Sequence, residues 1–221
     1  IHSLFYSILS KDFVNTDRAD KYPVMFSEGD HCETVKGGKY IFASENGKIA
    51  RLMGHLSPFA VYEAVIEKLD GEIGFLFKNG ENEVLISLER EKDGTVFVKC
   101  GDEKISVECD FEKEISFSVQ PRRDRFDVFL KTGIKPEYIT TFTVQQFGNT
   151  LKESVFMKTA ACIFCAGNAV IVHASFYMDS GISQADLRTV RYENGDIFIE
   201  NGKVFITASV RLIEGGFQGV F

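Results

Sequence analysis

Between Glu72 and Val144 the apolar residues recur with a period of two, the spacing of strands that bury one face and wet the other. Val84, Ile86 and Leu88 share a face, as do Val96, Val98 and Cys100; Ile105, Val107, Cys109 and Phe111; Ile115, Phe117 and Val119; and Phe126, Val128 and Leu130. The alternate positions hold Glu89, Lys99, Ser106, Glu108, Ser116, Ser118, Asp127 and Lys131, which predicts a largely wet opposite face. Asn79-Gly80, Asp93-Gly94 and Gly101-Asp102 fall between the runs, where tight hairpin turns need residues that accept positive φ. The run Phe59 to Leu69 also alternates, although Ala60, Glu63, Ala64 and Glu67 leave a helix open, and it predicts a long strand closed by a turn at Asp70-Gly71. Upstream, Lys36-Gly37-Gly38-Lys39 and Glu45-Asn46-Gly47-Lys48 bracket a short strand at Tyr40 to Ala43. The opening ~20 residues are less regular and predict a lead-in strand on the edge of the sheet.

After Val144 the texture changes to Gly148-Asn149-Thr150 and a stretch from Thr159 to Ala174 without acidic or basic side chains other than His173, broken at Gly167-Asn168. A domain boundary is therefore expected near Gly148. Residues 1–148 are expected to form an antiparallel, all-β, two-sheet sandwich of jelly-roll type, and residues 149–221 a partial second β domain. In that tail Ala169 to Phe176 reads as a strand, and Asp196 to Ser209 reads as two strands joined at Asn201-Gly202.

Composition narrows the picture. Phe occurs 21 times and Trp not at all, so the core is expected to be Phe, Val and Ile on sheets. A net charge of -7 argues against a nucleic-acid partner, since phosphate binding needs gathered Lys and Arg. The basic knot Arg122, Arg123 and Arg125 is expected to be a solvated turn. No run approaches the ~18 apolar residues of a membrane helix. The 5 cysteines leave one unpaired in any intramolecular scheme. Cys162 and Cys165 have the spacing of half a zinc knuckle, but their apolar neighbours predict buried, inert thiols. His2, His31, His55 and His173 lack metal spacing, so neither a metal nor a cofactor is expected. Both ends, Ile1 and Val220-Phe221, read as cut, so a missing leader is silent on export and the compartment stays open, as does the oligomeric state.

Two resemblances add to this reading. GFLFKNGENEVLISLEREKDGTVFVKC followed by FSVQPRRDRFDVFL resembles the laminin-G or concanavalin-A-like sandwich family in pattern, which implies a prior on sugar binding. DIFIENGKVFITAS, Asp196 to Ser209, resembles the opening blade of the five-bladed β-propeller glycosidases. That resemblance implies a catalytic carboxylate at Asp196 or at Asp186, with Arg188 as a contact near the mouth; it departs from the pattern in lacking a Pro after Asp196. An inverting glycosidase needs one carboxylate to activate water and a second, protonated carboxyl for the leaving oxygen. Glu108, Asp110 and Glu112 also match the E-x-D-x-E pattern of jelly-roll endoglucanases, although Lys113-Glu114 favours a turn there.

The expectation is a fragment of a carbohydrate-active protein, glycoside-hydrolase-like, with the sandwich as accessory domain and little activity of its own. The rival is a non-catalytic module that binds a glycan or a protein through a wet sheet face carrying Phe97, Phe129 and Arg90.

Overall fold

The computed structural model describes residues 19–57, 60–150, 152–178, 183–211 and 218–220. In chain order the strands are β1 (Val24–Glu28), β2 (Cys32–Lys36), β3 (Lys39–His55), β4 (Ala60–Asn79), β5 (Asn82–Arg90), β6 (Val96–Cys100), β7 (Glu103–Val107), β8 (Ile115–Arg122), β9 (Arg125–Lys131), β10 (Glu137–Thr143), β11 (Ala160–Met178), β12 (Ser183–Thr189), β13 (Ile199–Glu200), β14 (Lys203–Val204), β15 (Ile206–Arg211) and β16 (Gln218–Val220). The lead-in strand expected in the opening residues lies outside the described residues.

Strands β1 to β11 belong to one antiparallel hydrogen-bonded sheet that folds over itself. Its axis is the trio β3, β11 and β4, with β11 in the middle, and each of the three serves two layers. In the first layer Tyr62–Ile66 of β4 pairs with β8, which continues to β9 and β10, while Tyr40–Ala43 of β3 pairs with β2. In the second layer Gly71–Asn79 of β4 pairs with β5, which continues to β6 and β7, while Lys48–Arg51 of β3 pairs with β1. The layers meet face to face through aromatic rings: Phe75 stacks on Phe117 at 5.9 Å between centroids, and Phe77 meets Phe126 at 4.8 Å. One continuous core results, built of the residues that the alternation placed inward, including Ile86, Leu88, Val98, Phe117, Val119, Val128 and Leu130. The sandwich expected from the alternation is present.

Several boundaries differ from expectation for one shared reason. Asp70-Gly71, Glu45 to Gly47 and Gly167-Asn168 each lie inside a long strand, where that strand passes from one layer to the other. Gly71 has φ 137° and Gly167 φ 76°, and Gly167 pairs with Gly71 across the ladder. A Cβ on Gly167 would come within 2.6 Å of the Asp70 carbonyl oxygen, and one on Gly71 would run into the Ala166 carbonyl. Only glycine lets the backbones approach this closely and fold. The residues typical of a turn therefore mark a fold line across three paired strands. For the same reason β11, which lies beyond the boundary expected at Gly148, is the central strand of the sheet.

The outward face of the first layer also departs from expectation, since Ser116, Ser118, Gln120, Arg122 and Asp127 are buried. Hydrogen bonds and charge pairing accommodate three of them: Ser116 donates to Glu63, Thr141 Oγ1 donates to Asp127 Oδ1 at 2.7 Å, and Arg122 Nε lies 3.9 Å from Asp127 Oδ2. Of the expected solvated basic knot, Arg123 is exposed in the β8–β9 turn at φ 32°, whereas Arg122 is buried.

The tail forms two small sheets, β12-β15-β16 and β13-β14. The hairpin expected at Asn201-Gly202 is present, with both turn residues at positive φ, 52° and 74°. These short strands do not themselves display a propeller.

Candidate functional site

The residues singled out in the sequence do not converge. Phe97 stands on β6 in the second layer and Phe129 on β9 in the first, each on the outward side, since their strand neighbours Val96, Val98, Val128 and Leu130 line the shared core. Both rings are half-buried, Phe97 beneath the Lys104 ammonium at 5.1 Å and Phe129 edge-on to Tyr138 at 5.9 Å. Asp196 is exposed in the turn before β13; its backbone N–H donates to Asn194 Oδ1 at 3.0 Å, and its Oδ2 accepts from Asn194 Nδ2 at 2.8 Å. Asp186 lies on β12, at an irregularity in its pairing with β15, and its side chain is outside the described residues. Arg188, also on β12, is exposed and pairs in register with Thr207. Of the Glu108, Asp110 and Glu112 set, Asp110 and Glu112 fall in a turn after β7, closed by Lys113 N–H to Asp110 O at 3.3 Å. Strand alternation therefore does not align the three carboxylates.

The structure instead brings together residues from five segments at the fold line. A cleft of about 420 Å³ opens there, with Phe42, Leu69 and Ala169 among its apolar lining and Lys68, Asp70, Arg90, Phe111 and Asn168 as its polar and aromatic members. The ladder explains the convergence: Asp70 pairs with Asn168, which in turn pairs with Ala43, and Gly71 pairs with Arg90. The connection from β7 to β8 crosses between layers and lays Phe111 beside them. Arg90 is half-buried; its Nη1 donates to the Leu69 carbonyl at 3.3 Å and its guanidinium lies 5.2 Å from the Phe111 ring centre. Asn168 Oδ1 accepts from the Ser44 N–H at 3.3 Å, which orients the amide and leaves its NH₂ for a ligand. Apolar floor, aromatic ring and several convergent polar groups are the usual make-up of a small-ligand site.

A second polar cluster closes the open edge of the sandwich. Glu33 of β2 accepts from Tyr40 Oη at 2.5 Å and from Arg51 Nε at 2.9 Å, while Arg51 Nη1 donates to the Tyr22 carbonyl at 2.6 Å. His31 Nε2 is 3.6 Å from Glu33 Oε1. Burial pushes the Glu33 carboxyl up, but the hydrogen bonds of Tyr40 and Arg51 and the charges of Arg51 and His31 outweigh it and hold it below its ordinary value. Burial is likewise the largest cause that raises the Tyr40 phenol. Its donors are committed within the protein, so this cluster reads as a clamp between β2 and β3.

The thiols of Cys162 and Cys165 are buried and pushed up to about 12 by desolvation, in keeping with inert core cysteines. Among the described residues no group of His, Cys, Asp and Glu could hold a metal ion, and no helix is long and apolar enough to cross a membrane.

Lys68, Asp70, Phe111 and Asn168 escaped the sequence reading. Asp70 and Asn168 had been absorbed into expected turns, and Phe111 into the core face of a strand that stops at Val107. Nothing local in the sequence pairs residues 70 and 168.

Comparison with known proteins yields no matching family model and no match among curated proteins. Among solved structures the chain is similar to the carbohydrate binding module CBM66 from Bacillus subtilis, with 14% identity over 66% of this chain and 91% of that one, at a TM-score of 0.42. It is also similar to the exoplasmic/lumenal domain of VIP36, at 8% identity over 69% and 83% of the two chains and a TM-score of 0.46. A laminarinase from Flavobacterium sp. UMI-01 matches at 14% identity over 66% and 81%, with a TM-score of 0.44. Scores of this size leave the two-layer description resting on the strand pairing and core contacts of the chain itself.

Proposed function

We propose that this chain is a carbohydrate-binding β-sandwich, acting without catalysis, and that the fold-line cleft is its sugar site. The observation that carries the reading is the pairing, in one open cleft, of the Phe111 ring and an apolar floor with the planar polar groups of Arg90, Asp70 and Asn168. A pyranose has the matching anatomy: a C–H face that packs on apolar and aromatic surface and an edge of hydroxyls that both donate and accept. Asp70 would accept hydrogen bonds from hydroxyls, while Arg90 and the Asn168 amide would donate them. The volume falls within the ~300–1,000 Å³ of small-ligand sites. The test is a glycan array, followed by NMR titration of any hit, with wild type and Phe111→Ala. Binding that Phe111→Ala weakens at least tenfold supports the site. Equal binding by both proteins moves the site elsewhere, with Phe97 and Phe129 next to be truncated, and no binding by wild type removes the sugar reading.

A second reading keeps the tail as glycosidase-like, with Asp196 or Asp186 as the carboxylate and Arg188 as a substrate contact. The Asn201-Gly202 hairpin at the position expected from the resemblance favours it. Against it, the Asp196 carboxylate already accepts a hydrogen bond from Asn194 in an exposed turn. Aryl-glycoside hydrolysis by the natural full-length polypeptide, abolished in Asp196→Asn or Asp186→Asn, is its expected result; turnover unaffected by either change would end it.

A further inference from the structure

We infer that the fold-line cleft selects an acidic sugar, a uronate whose carboxylate pairs with Arg90; this rests on the reading that the cleft takes a sugar. The inference comes from comparing arginines. Arg51 and Arg122 have side chains only 13% and 1% exposed, and each faces a carboxylate, Glu33 and Asp127 respectively. Arg90 is also half-buried, yet among the described residues no carboxylate lies within ion-pair distance of it. Its recorded partners are neutral: the Leu69 carbonyl and the face of Phe111. Removing a guanidinium from water without a counter-charge is unfavourable, and the other buried or half-buried arginines among the described residues avoid it, Arg125 by lying 3.8 Å from Asp124.

The chain carries a net charge of -7, so carboxylates are in excess; they pair with Lys39, Lys48, Lys78, Lys99 and Lys104, while exposed lysines such as Lys36, Lys92 and Lys131 are left to solvent. Lys68, on the same cleft as Arg90, is likewise without a carboxylate partner among the described residues. Arg90 and Lys68, neither within ion-pair distance of a carboxylate among the described residues, thus border one depression together with Asp70. Arg90 Nε and Nη2 have no protein acceptor among the described residues, and that edge of the fork matches a planar carboxylate bidentately.

Asp70 decides between kinds of anion. A carboxylate on the rim opposes a cluster of phosphate or sulfate charges more than a single one, and it accepts hydrogen bonds from ring hydroxyls. A uronate carries one planar negative group on an otherwise hydroxylated ring. Its carboxylate would sit at Arg90 with Lys68 nearby, its hydroxyls at Asp70 and Asn168, and its C–H face on the apolar floor.

The test uses tetrasaccharides of galacturonate and of mannuronate, each as free acid and as methyl ester, titrated calorimetrically into the full chain. The ester keeps the ring and removes the charge. At least one free acid should bind ten- to a hundredfold more tightly than its ester, with affinity falling as salt is raised. Arg90→Gln should erase the difference between acid and ester, and Lys68→Gln, at an exposed position where folding is not at risk, should narrow it two- to fivefold. Equal affinity for acid and ester, or an acid preference that survives in both variants, overturns the acidic assignment while leaving the sugar site standing. Binding of neither form of either sugar also overturns it, and the neutral glycans of the array then decide whether the sugar reading itself survives.

Discussion

The two layers are tied together at two places, and the contrast between them separates architecture from function. At the open edge, Glu33, Tyr40, His31 and Arg51 form a cluster in which the charged and hydroxyl groups answer one another. At the fold line, glycine backbones bring the strands together, and the side chains around them, Arg90, Lys68, Asp70 and Asn168, are left facing a cleft. A charge cluster whose partners are internal stabilises a fold. One whose cations have no carboxylate within ion-pair distance among the described residues is the basis of the proposed ligand site.

The contrast can be broken at several points. The largest effect is expected at the backbone: Gly71→Val puts a branched side chain against the Ala166 carbonyl at φ 137° and should destabilise by ~3 kcal/mol or more, combining backbone strain with overpacking. Urea unfolding followed by circular dichroism measures it, and a midpoint like that of wild type would remove the fold line as a structural device. Next, Arg51→Met should cost ~2 kcal/mol by leaving Glu33 half-buried without its cation, a figure reduced for partial exposure. Much of that loss should return in the Glu33→Leu/Arg51→Met double variant, which a double-mutant cycle resolves.

The same clamp predicts a pH dependence. The folded-state pKa of Glu33 lies below its unfolded value, so between the two the unfolded chain holds more protons. Its contribution is therefore present above the ordinary glutamate value, ~4.3, and lost as pH falls through the lower folded value. Denaturation midpoints between neutral pH and pH 3 should fall less steeply for Glu33→Gln than for wild type. Arg90→Met offers the sharpest contrast with Arg51→Met, because no carboxylate is orphaned: stability should change by less than ~1 kcal/mol while uronate binding is lost. A loss equal to that of Arg51→Met would make Arg90 structural. Least of all, Asp196→Ala removes only exposed turn hydrogen bonds and should shift stability by ~0.5 kcal/mol or less.

How much of this was legible in the sequence depends on whether a feature is local. The period of two identified which side chains of Val84 to Leu88 or Phe126 to Leu130 face inward, because alternation is a property of a single strand. The Asn201-Gly202 hairpin was equally plain. Asp70-Gly71 and Gly167-Asn168 were read as turns because positive φ is demanded equally by a turn and by a strand folding through a tight crossing. Only partners on both sides tell the two apart. Residues Ser116 and Asp127 were read as wet because polarity predicts exposure, yet here hydrogen bonds accommodate their burial.

By itself, then, the sequence determined that the chain is rich in β-strands, which faces of its strands are apolar, where hairpins such as Asn79-Gly80 and Asn201-Gly202 turn, and that Cys162 and Cys165 are buried. The tertiary structure decided that β11 lies between β3 and β4, that the layers fold along a line of glycines, and that Arg90 has no carboxylate within ion-pair distance among the described residues. The physical reason is range. Alternation and turn chemistry act between neighbours along the chain, whereas the contact of Asp70 with Asn168 and the electrostatic surroundings of Arg90 arise only when distant strands pair.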